Sequence, residues 1–195
     1  MKKIKIYAII GKAGSGKDFI LKKLLRNINA KEIISYTSRP PREGEVDGKN
    51  YHFVTSDYFE KQGDDFIEKS FFNGWYYGTR YSDLDMSKPN IGVFNPEGIH
   101  SLLQNKQIDL HVIELCVSDK IRLIRQLQRE ENPDIVEIFR RYNTDNADFN
   151  WYHTMIAPNI APEKRFYINN DANGGMDVVY DIVDFIKKAE NREIN

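Results

Sequence analysis

The chain of 195 residues is long enough for one domain with a sizeable core, or for one core with an inserted subdomain. Charged residues make up 29% and hydrophobic residues 41%, which is typical of a globular protein and not of a disordered one. The 28 basic and 29 acidic residues leave a net charge of −1, which argues against a nucleic-acid-binding protein.

The single cysteine and the short apolar runs restrict the cellular compartments in which we expect the protein. Cys116 has no partner for a disulfide within the chain, and its apolar surroundings predict a buried thiol in a strand over 110–117. No run approaches the roughly 18 apolar residues that a membrane span needs, and the apolar stretch at 7–10 is too short for an export segment. We therefore expect a cytoplasmic protein without a membrane partner.

The first elements are a strand and a helix joined by a glycine-rich segment. Residues 6–10 predict a buried strand, and the apolar positions within 20–28 follow the spacing of an amphipathic helix. Between them, residues 11–18 read GKAGSGKD and match the phosphate-binding pattern G-x-x-x-x-G-K. The bland alternative is a glycine-rich turn with a surface lysine, but the strand before and the helix after favour the motif.

This segment predicts a site for a nucleoside triphosphate. Glycines let backbone N–H groups converge on an anion, and the positive end of the helix dipole points to the same place. Lys17 would add a mobile positive charge for the outer phosphates, while Asp18 stands where Ser or Thr normally meets the magnesium ion. The residues assigned to this triphosphate site are Gly11, Ala13, Gly14, Ser15, Gly16, Lys17 and Asp18.

The next part of the chain is rich in strands and aromatic residues. A loop dense in charge, proline and glycine interrupts it, and an Asn-Gly pair indicates a hairpin turn. This shift in composition predicts an inserted β-rich subdomain over 35–85. Its expected elements are strands at 32–37 and 51–54, a short helix at 56–62, and hairpin strands at 66–68 and 71–78.

The remaining chain alternates strands with helices, which predicts a parallel sheet with covered faces. The fold class is therefore α/β. The expected strands lie at 90–94, 108–117 and 165–169, and the expected helices at 96–105, 119–131, 133–147 and 174–190.

Residues 35–54 carry the most specific pattern of the chain, SYTSRPPREGEVDGKNYHFV. This stretch resembles the acceptor signature of guanylate kinases, S-x-T-T-R-x-P-R-x-G-E-x-x-G-x-D-Y-x-F, and weaker similarity continues to residue 171. The resemblance implies a P-loop parallel sheet flanked by helices, a nucleoside-monophosphate-binding subdomain and a helical lid. The corresponding ranges are a core of 1–34, 86–117 and 149–195, the acceptor subdomain 35–85, and the lid 118–148.

The resemblance also assigns the acceptor site. Guanidinium groups bind phosphate oxygens bidentately and phenols donate hydrogen bonds, so Arg39, Arg42, Tyr51 and Tyr77 could clamp a monophosphate. A carboxylate accepts two N–H bonds from the N1/N2 edge of guanine, whereas adenine offers no such pair of donors. By resemblance the acceptor site also includes Ser35, which contacts the base, Glu45, which supports the arginine loop, Glu68, which reads guanine, and Gly78 and Asn95. Solvated charged loops and core aromatics are the bland alternatives for these groups.

Three positions differ from the family pattern in whether they carry a carboxylate. Asn95 and Val93 stand where guanylate kinases usually carry Asp, while Asp18 is an added carboxylate after the P-loop lysine. Our hypothesis is that Asp18 takes a share of the magnesium shell, because this ion prefers hard oxygen ligands. Asn95 before a proline is also a good helix N-cap, so a purely structural role stays open.

The lid is expected to supply arginines to the transferred phosphate. Arg122, Arg125 and Arg129 fall on one stripe of the predicted helix, and by resemblance Arg125, Arg129 and Arg141 are the closest matches to the family's lid arginines. The alternative is a solvated helix face. Asn170 matches a position near the donor adenine, although a polar turn would also explain it.

Taken together, the sequence predicts ATP- and Mg²⁺-dependent phosphorylation of GMP or dGMP by a monomer or homodimer. The alternatives are a kinase for another nucleoside monophosphate, or an inactive binding module that has kept this fold. Persistence of the P-loop residues argues against the inactive module.

Overall fold

The computed structural model describes residues 3–191, apart from residues 43, 73, 130, 173 and 174. The strands are β1 (Ile4–Ile10), β2 (Lys31–Glu32), β3 (Tyr36–Thr37), β4 (His52–Phe53), β5 (Phe66–Phe72), β6 (Trp75–Arg80), β7 (Asn90–Val93), β8 (Ile108–Cys116) and β9 (Arg165–Asn169). The α-helices are α1 (Lys17–Leu24), α2 (Ser56–Lys61), α3 (Pro96–Gln104), α4 (Asp119–Leu127), α5 (Ile135–Trp151) and α6 (Met176–Asn191).

These strands form two sheets. A five-stranded sheet has the order β2-β7-β1-β8-β9, and its pairs β2–β7 and β8–β9 are parallel. A four-stranded sheet has the order β4-β3-β6-β5, with β5 and β6 antiparallel as a hairpin. The predicted α/β class, with a parallel sheet, helices and a separate β-rich part, is therefore confirmed.

The chain divides into two compact units. The first unit comprises residues 1–8 and 29–110, and its core includes Ile6, Phe59, Ile91, Ile99 and Leu102. It contains the four-stranded sheet together with α2, α3 and β7.

The second unit comprises residues 9–28 and 111–195. It contains the glycine-rich loop, α1, α4 to α6 and β9, with a core that includes Ile20, Leu24, Ile113, Val179 and Ile182. The division into a core, an acceptor subdomain and a lid stays a prediction.

The structure changes two local expectations, one on a strand and one on the cysteine. The predicted strand 32–37 is two strands in different sheets, because residues 33–35 carry the chain from β7, where Ile33 N–H donates to Ile91 O, towards β4, where Ser35 O accepts from His52 N. Cys116 is exposed as the last residue of β8, so its predicted burial is wrong. An apolar pattern predicts that a strand is buried, but it does not show at which residue the packing of other segments against the strand ends.

Two helices have other bounds than predicted. Helix α4 ends at Leu127, four residues before the expected end, whereas α5 continues to Trp151 and runs into a π-helical turn over Tyr152–Ile156. The start of α5 is fixed by Asp134, whose side chain accepts from the N–H of Glu137. Within the described part of the chain, no helix is both long enough and apolar enough to cross a membrane.

Candidate nucleotide-binding sites

The glycine-rich loop of the second unit leads from β1 directly into α1. Gly14 and Gly16 have φ angles of 80° and 88°, a backbone conformation that side chains with a Cβ rarely adopt. A Cβ on Gly14 would also lie 2.6 Å from the carbonyl oxygen of Arg122. Gly16 is the N-cap of α1 and no side chain caps this end, so the first N–H groups of the helix are suited to an anion.

Lys17 is the first residue of α1. Its ammonium donates to the carbonyl oxygen of Gly11 at 2.6 Å and to that of Lys12 at 3.4 Å. Burial lowers the pKa of Lys17, and the carboxylates of Asp18 and Asp145 oppose this shift. The lysine is therefore held inside the loop by backbone oxygens.

Ser15 and Asn170 tie the loop to the end of β9. Ser15 is fully buried, and its backbone carbonyl accepts from the Asn170 side chain at 2.8 Å. Two oxygens at this point, Ser15 Oγ and Asn170 Oδ1, have no hydrogen-bond partner among the described residues. Asn170, which was predicted to lie near the donor adenine, thus contacts the glycine-rich loop.

Helix α5 also contacts the loop. The Ala13 N–H donates to Asp145 Oδ2 at 2.6 Å, and the Lys12 ammonium donates to Asn146 Oδ1 at 2.7 Å. The buried Arg122 guanidinium donates to the Ala13 carbonyl at 3.2 Å and lies 3.6 Å from Asp145 Oδ2. Sequence reasoning did not single out the side chains of Lys12, Asp145 and Asn146.

The candidate lid arginines have different surroundings. Arg125 donates to the carbonyl oxygens of Gly14, Asn170 and Asp171, so it lies beside the loop. Arg141 pairs with Glu137 at 2.7 Å within α5. Arg129 is exposed and follows the end of α4, so the expected stripe of three arginines on one helix stops at Arg125.

Arg140 shares the Glu137 carboxylate with Arg141. The hydrogen bond from Arg140 and, to a lesser extent, that from Arg141 lower the pKa of Glu137 to about 2, although burial opposes this shift. Both arginines of α5 are therefore bound to one carboxylate.

Asp18 is exposed in the first turn of α1. Among the described residues no group of three or more His, Cys, Asp or Glu side chains could hold a metal ion. This donor set fits Mg²⁺ only as an ion bound chiefly by nucleotide phosphates, to which Asp18 would add one carboxylate.

The first unit contains an unusual buried carboxylate. Glu68 on β5 is 4% exposed, and its Oε2 has no hydrogen-bond partner among the described residues. Burial raises the pKa of Glu68 to about 7; the neighbouring Thr79 opposes this and the charge of Glu97 adds to it. A Cβ on Gly98 would lie 3.3 Å from Oε2, so this glycine leaves room next to the carboxylate.

Asn95 lies at the start of α3 and is its N-cap. Its Oδ1 accepts from the N–H of Gly98 at 2.6 Å, and its Nδ2 donates to Ser70 Oγ at 3.1 Å. Ser70 is buried two residues after Glu68, so both side chains lie on the same face of β5. Asn95 is thus both a cap and a neighbour of the Glu68 strand.

The arginine loop is organised by Glu45. Arg39 Nη2 lies 2.9 Å from both carboxylate oxygens of Glu45, and the backbone N–H of Arg42 donates to Oε2 at 2.7 Å. Burial would raise the pKa of Glu45, but these bonds hold it below its usual range. Glu45 therefore fixes the path of the loop.

Two tyrosines extend this cluster. The Arg39 guanidinium lies 5.5 Å from the Tyr51 ring centre, and the Tyr51 and Tyr77 rings are 5.9 Å apart. The structure thus brings together Arg39, Tyr51 and Tyr77, which were predicted to share one ligand.

Ser35 and Gly78 lie next to β3. Ser35 is partly buried just before this strand, and Gly78 on β6 pairs with Tyr36. A Cβ on Gly78 would lie 2.7 Å from a ring carbon of Phe66, so a larger residue would displace this aromatic side chain.

A family model described as guanylate kinase matches residues 3–157. The chain belongs to the guanylate kinase family. Family membership confirms the resemblance that was drawn from residues 11–18 and 35–54.

Individual relatives agree with this assignment. A guanylate kinase from Clostridium tetani is 38% identical over 111 residues, which are 54% of this chain and 53% of that protein. One from Mycoplasma mycoides is 34% identical over 149 residues, 72% and 50% of the two chains. One from Wigglesworthia glossinidia brevipalpis is 26% identical over 194 residues, 94% and 88%. The chain thus spans about half the length of two of these relatives.

A solved structure shows the same fold. The guanylate kinase from Anaplasma phagocytophilum superimposes with a TM-score of 0.61 over 97% of this chain and 88% of its own, at 18% sequence identity. This likeness supports the architecture of the family member described here and says nothing about individual site residues.

For three residues in the candidate sites of this guanylate kinase family member, the sequence indicates a role only weakly or not at all. Arg122 was visible as part of an arginine stripe, but its burial beside Gly14 was not. Ser70 lies two residues after Glu68, and the alternation of side chains along a strand would have indicated that both lie on one face. Asp145 lies in a polar stretch of α5, residues 140–146, where one more carboxylate carries no specific signal.

Proposed function

We propose that the chain transfers the terminal phosphoryl group of ATP to GMP or dGMP, giving ADP and the nucleoside diphosphate. The observation that carries this proposal is the buried Glu68 carboxylate with its unpaired Oε2. The N1–H and N2–H groups of guanine supply two parallel donors to one carboxylate, and burial makes such charge-assisted bonds strong. Adenine lacks this pair, which makes the site selective for guanine.

The acceptor phosphate would be held by the arginine loop. Arg39, Arg42, Tyr51 and Tyr77 supply guanidinium and phenol donors, and Glu45 keeps the loop in shape. Because the acceptor phosphate is already an anionic nucleophile, the protein needs no covalent intermediate and no strong base.

The donor phosphates would be held by the loop in residues 11–17. Backbone N–H groups and the Lys17 ammonium neutralise the phosphate charge, and Arg125, Arg129 and Arg141 are the cations proposed to stabilise the charge of the migrating phosphoryl group. Magnesium, carried by the ATP phosphates with Asp18 as a possible protein ligand, supplies further charge neutralisation when bound.

The test is a coupled assay of ADP release with Mg·ATP and a panel of GMP, dGMP, AMP, dAMP, CMP, UMP and dTMP. Turnover confined to GMP and dGMP supports the proposal, and loss of this preference in Glu68→Gln assigns the reading role. A different preferred base would overturn the acceptor assignment but keep the phosphoryl transfer. If no nucleotide of the panel supports ADP release while GMP still binds in calorimetry, the chain is an inactive binding module.

One observation favours an altered acceptor as the second candidate. Asn95 is a neutral amide where the family usually carries a carboxylate, its oxygen already accepts from the Gly98 N–H, and its nitrogen already donates to Ser70 Oγ. The ratio of kcat/KM for dGMP to that for GMP measures whether the changed residue alters the choice of sugar. A monomer or homodimer remains the expected assembly, which light scattering would distinguish.

A further inference from the structure

The phosphate-binding loop is contacted by an anion of the chain itself. Asp145 on α5 is 9% exposed, and its Oδ2 accepts from the Ala13 N–H at 2.6 Å. This distance is that of a charge-assisted hydrogen bond. Ala13 lies in the middle of the G-x-x-x-x-G-K segment, whose N–H groups bind phosphate oxygens when ATP occupies such a loop.

The electrostatics agree with an anion inside the loop. Burial lowers the pKa of Lys17 and the Asp145 carboxylate opposes this shift, so Asp145 acts on the ammonium that the motif provides for phosphates. Arg122, which is 1% exposed, lies 3.6 Å from the same carboxylate oxygen. One carboxylate thus interacts with the Ala13 N–H and with the cations of Lys17 and Arg122.

The neighbouring residue strengthens the contact between α5 and the loop. Asn146 accepts from the Lys12 ammonium at 2.7 Å, so residues 145 and 146 bind the consecutive loop residues 12 and 13. The same helix carries Arg140 and Arg141, both bound to Glu137. The proposed lid arginine Arg141 therefore belongs to the same helix that contacts the loop.

We propose that the Asp145 carboxylate stands in for a phosphate oxygen at the Ala13 N–H and thereby sets the affinity of the loop for ATP. This inference rests on the proposed binding of ATP to residues 11–17. A single N–H cannot serve two anions, and a carboxylate left next to a triphosphate would repel it. ATP must displace Asp145, and its apparent affinity is reduced by the fraction of molecules in which Asp145 holds the loop.

A purely structural role makes the opposite prediction. If Asp145 keeps its place when ATP binds, it braces the loop from outside, and its removal loosens the loop and weakens ATP binding. The sign of the change in affinity therefore separates the two roles.

The experiment is calorimetric titration of the full chain with the magnesium complex of the β,γ-imido analogue of ATP. We expect Asp145→Asn to bind it about tenfold more tightly than wild type, and Asn146→Ala to shift the affinity in the same direction by less. Asp148→Asn is the matched control, because it removes a carboxylate from the same helix, one whose Oδ2 has no hydrogen-bond partner among the described residues. Its affinity should stay within about twofold of wild type, since it leaves the contact to Ala13 intact.

Equal or weaker binding by Asp145→Asn overturns the inference, and an equal gain in Asp148→Asn reduces it to a general charge effect. If neither wild type nor any variant binds the analogue while GMP still binds, the proposed ATP site itself fails. Loss of the Asp145–Arg122 pair could unfold the variant, so a crystal structure of the wild type with the analogue gives an independent test. There, a phosphate oxygen at the Ala13 N–H with Asp145 moved away supports the inference, and Asp145 still bound to Ala13 contradicts it.

Discussion

The two candidate sites handle buried charge in opposite ways. In the first unit, Glu68 is a buried carboxylate whose Oε2 finds no hydrogen-bond donor in the described part of the chain. In the second unit, two groups of the loop are already bound: the Lys17 ammonium donates to Gly11 O, and the Ala13 N–H donates to Asp145 on α5. An unpaired buried acceptor costs folding free energy, which a ligand with matching donors recovers, whereas a satisfied loop must exchange partners before it binds.

This difference teaches how selectivity and affinity can be separated in one chain. A carboxylate that only the correct base can satisfy discriminates strongly, because a wrong base leaves it buried without donors. A loop that already holds an anion binds any polyphosphate less tightly but without loss of selectivity. The following predictions test each side of the comparison, beginning with the largest effect.

Replacement of Lys17 by Met should lower kcat by about 10³-fold, because it removes a preorganised positive charge from the migrating phosphoryl group. GMP affinity measured by calorimetry should stay unchanged, since the acceptor residues lie in the other unit. Lys22→Met is the control, an exposed lysine on the same helix. A comparable loss in the control, or a loss of GMP binding in Lys17→Met, would contradict the separation of the two sites.

Replacement of Glu68 by Gln should lower kcat/KM for GMP by about 10²-fold, because a neutral amide replaces a carboxylate that accepts two charge-assisted bonds. Affinity for the ATP analogue should not change. Glu60→Gln, on the exposed side of α2, serves as the matched variant and should behave as wild type. Retention of wild-type kcat/KM in Glu68→Gln would remove the basis for guanine selectivity.

Folding stability should fall as pH rises through the range in which Glu68 titrates. The pKa of Glu68 is about 7 in the folded chain and near 4.5 in an unfolded one. The folded state therefore binds more protons between these values, and the free energy of unfolding decreases by up to about 3 kcal/mol from pH 4.5 to above pH 7. Urea unfolding at pH 5 and pH 8 should show this loss in wild type and a smaller one in Glu68→Gln. Identical pH dependence in both proteins would show that the carboxylate is not buried as described.

The smallest expected effect concerns the metal. Replacement of Asp18 by Asn should raise the Mg²⁺ concentration required for half-maximal activity several-fold, because one carboxylate contributes modestly to an ion held mainly by phosphates. Asp57→Asn is the control, since Asp57 is also an exposed carboxylate in the first turn of a helix. An unchanged magnesium requirement in Asp18→Asn would exclude this residue from the metal shell.

The sequence by itself determined the family, the α/β class and most element positions. Residues 11–18 required a strand before them and a helix after them, and the structure has β1 and α1 at these places. Residues 35–54 combine so many charged, proline and glycine positions that a chance match is improbable. Such signals are local, because a turn, a cap or a loop–phosphate contact depends on residues near one another in the chain.

Only the tertiary structure decided the state of the charges. The run over residues 32–37 did not show that β2 and β3 belong to different sheets, and nothing near residue 145 in the sequence pointed to the Ala13 N–H, 132 positions away. Burial, hydrogen-bond partners and pKa shifts depend on which distant segments pack together. The sequence therefore identified Glu68 and the loop as candidates. The fold decided that Oε2 of Glu68 has no hydrogen-bond partner among the described residues and that the loop is already bound by Asp145.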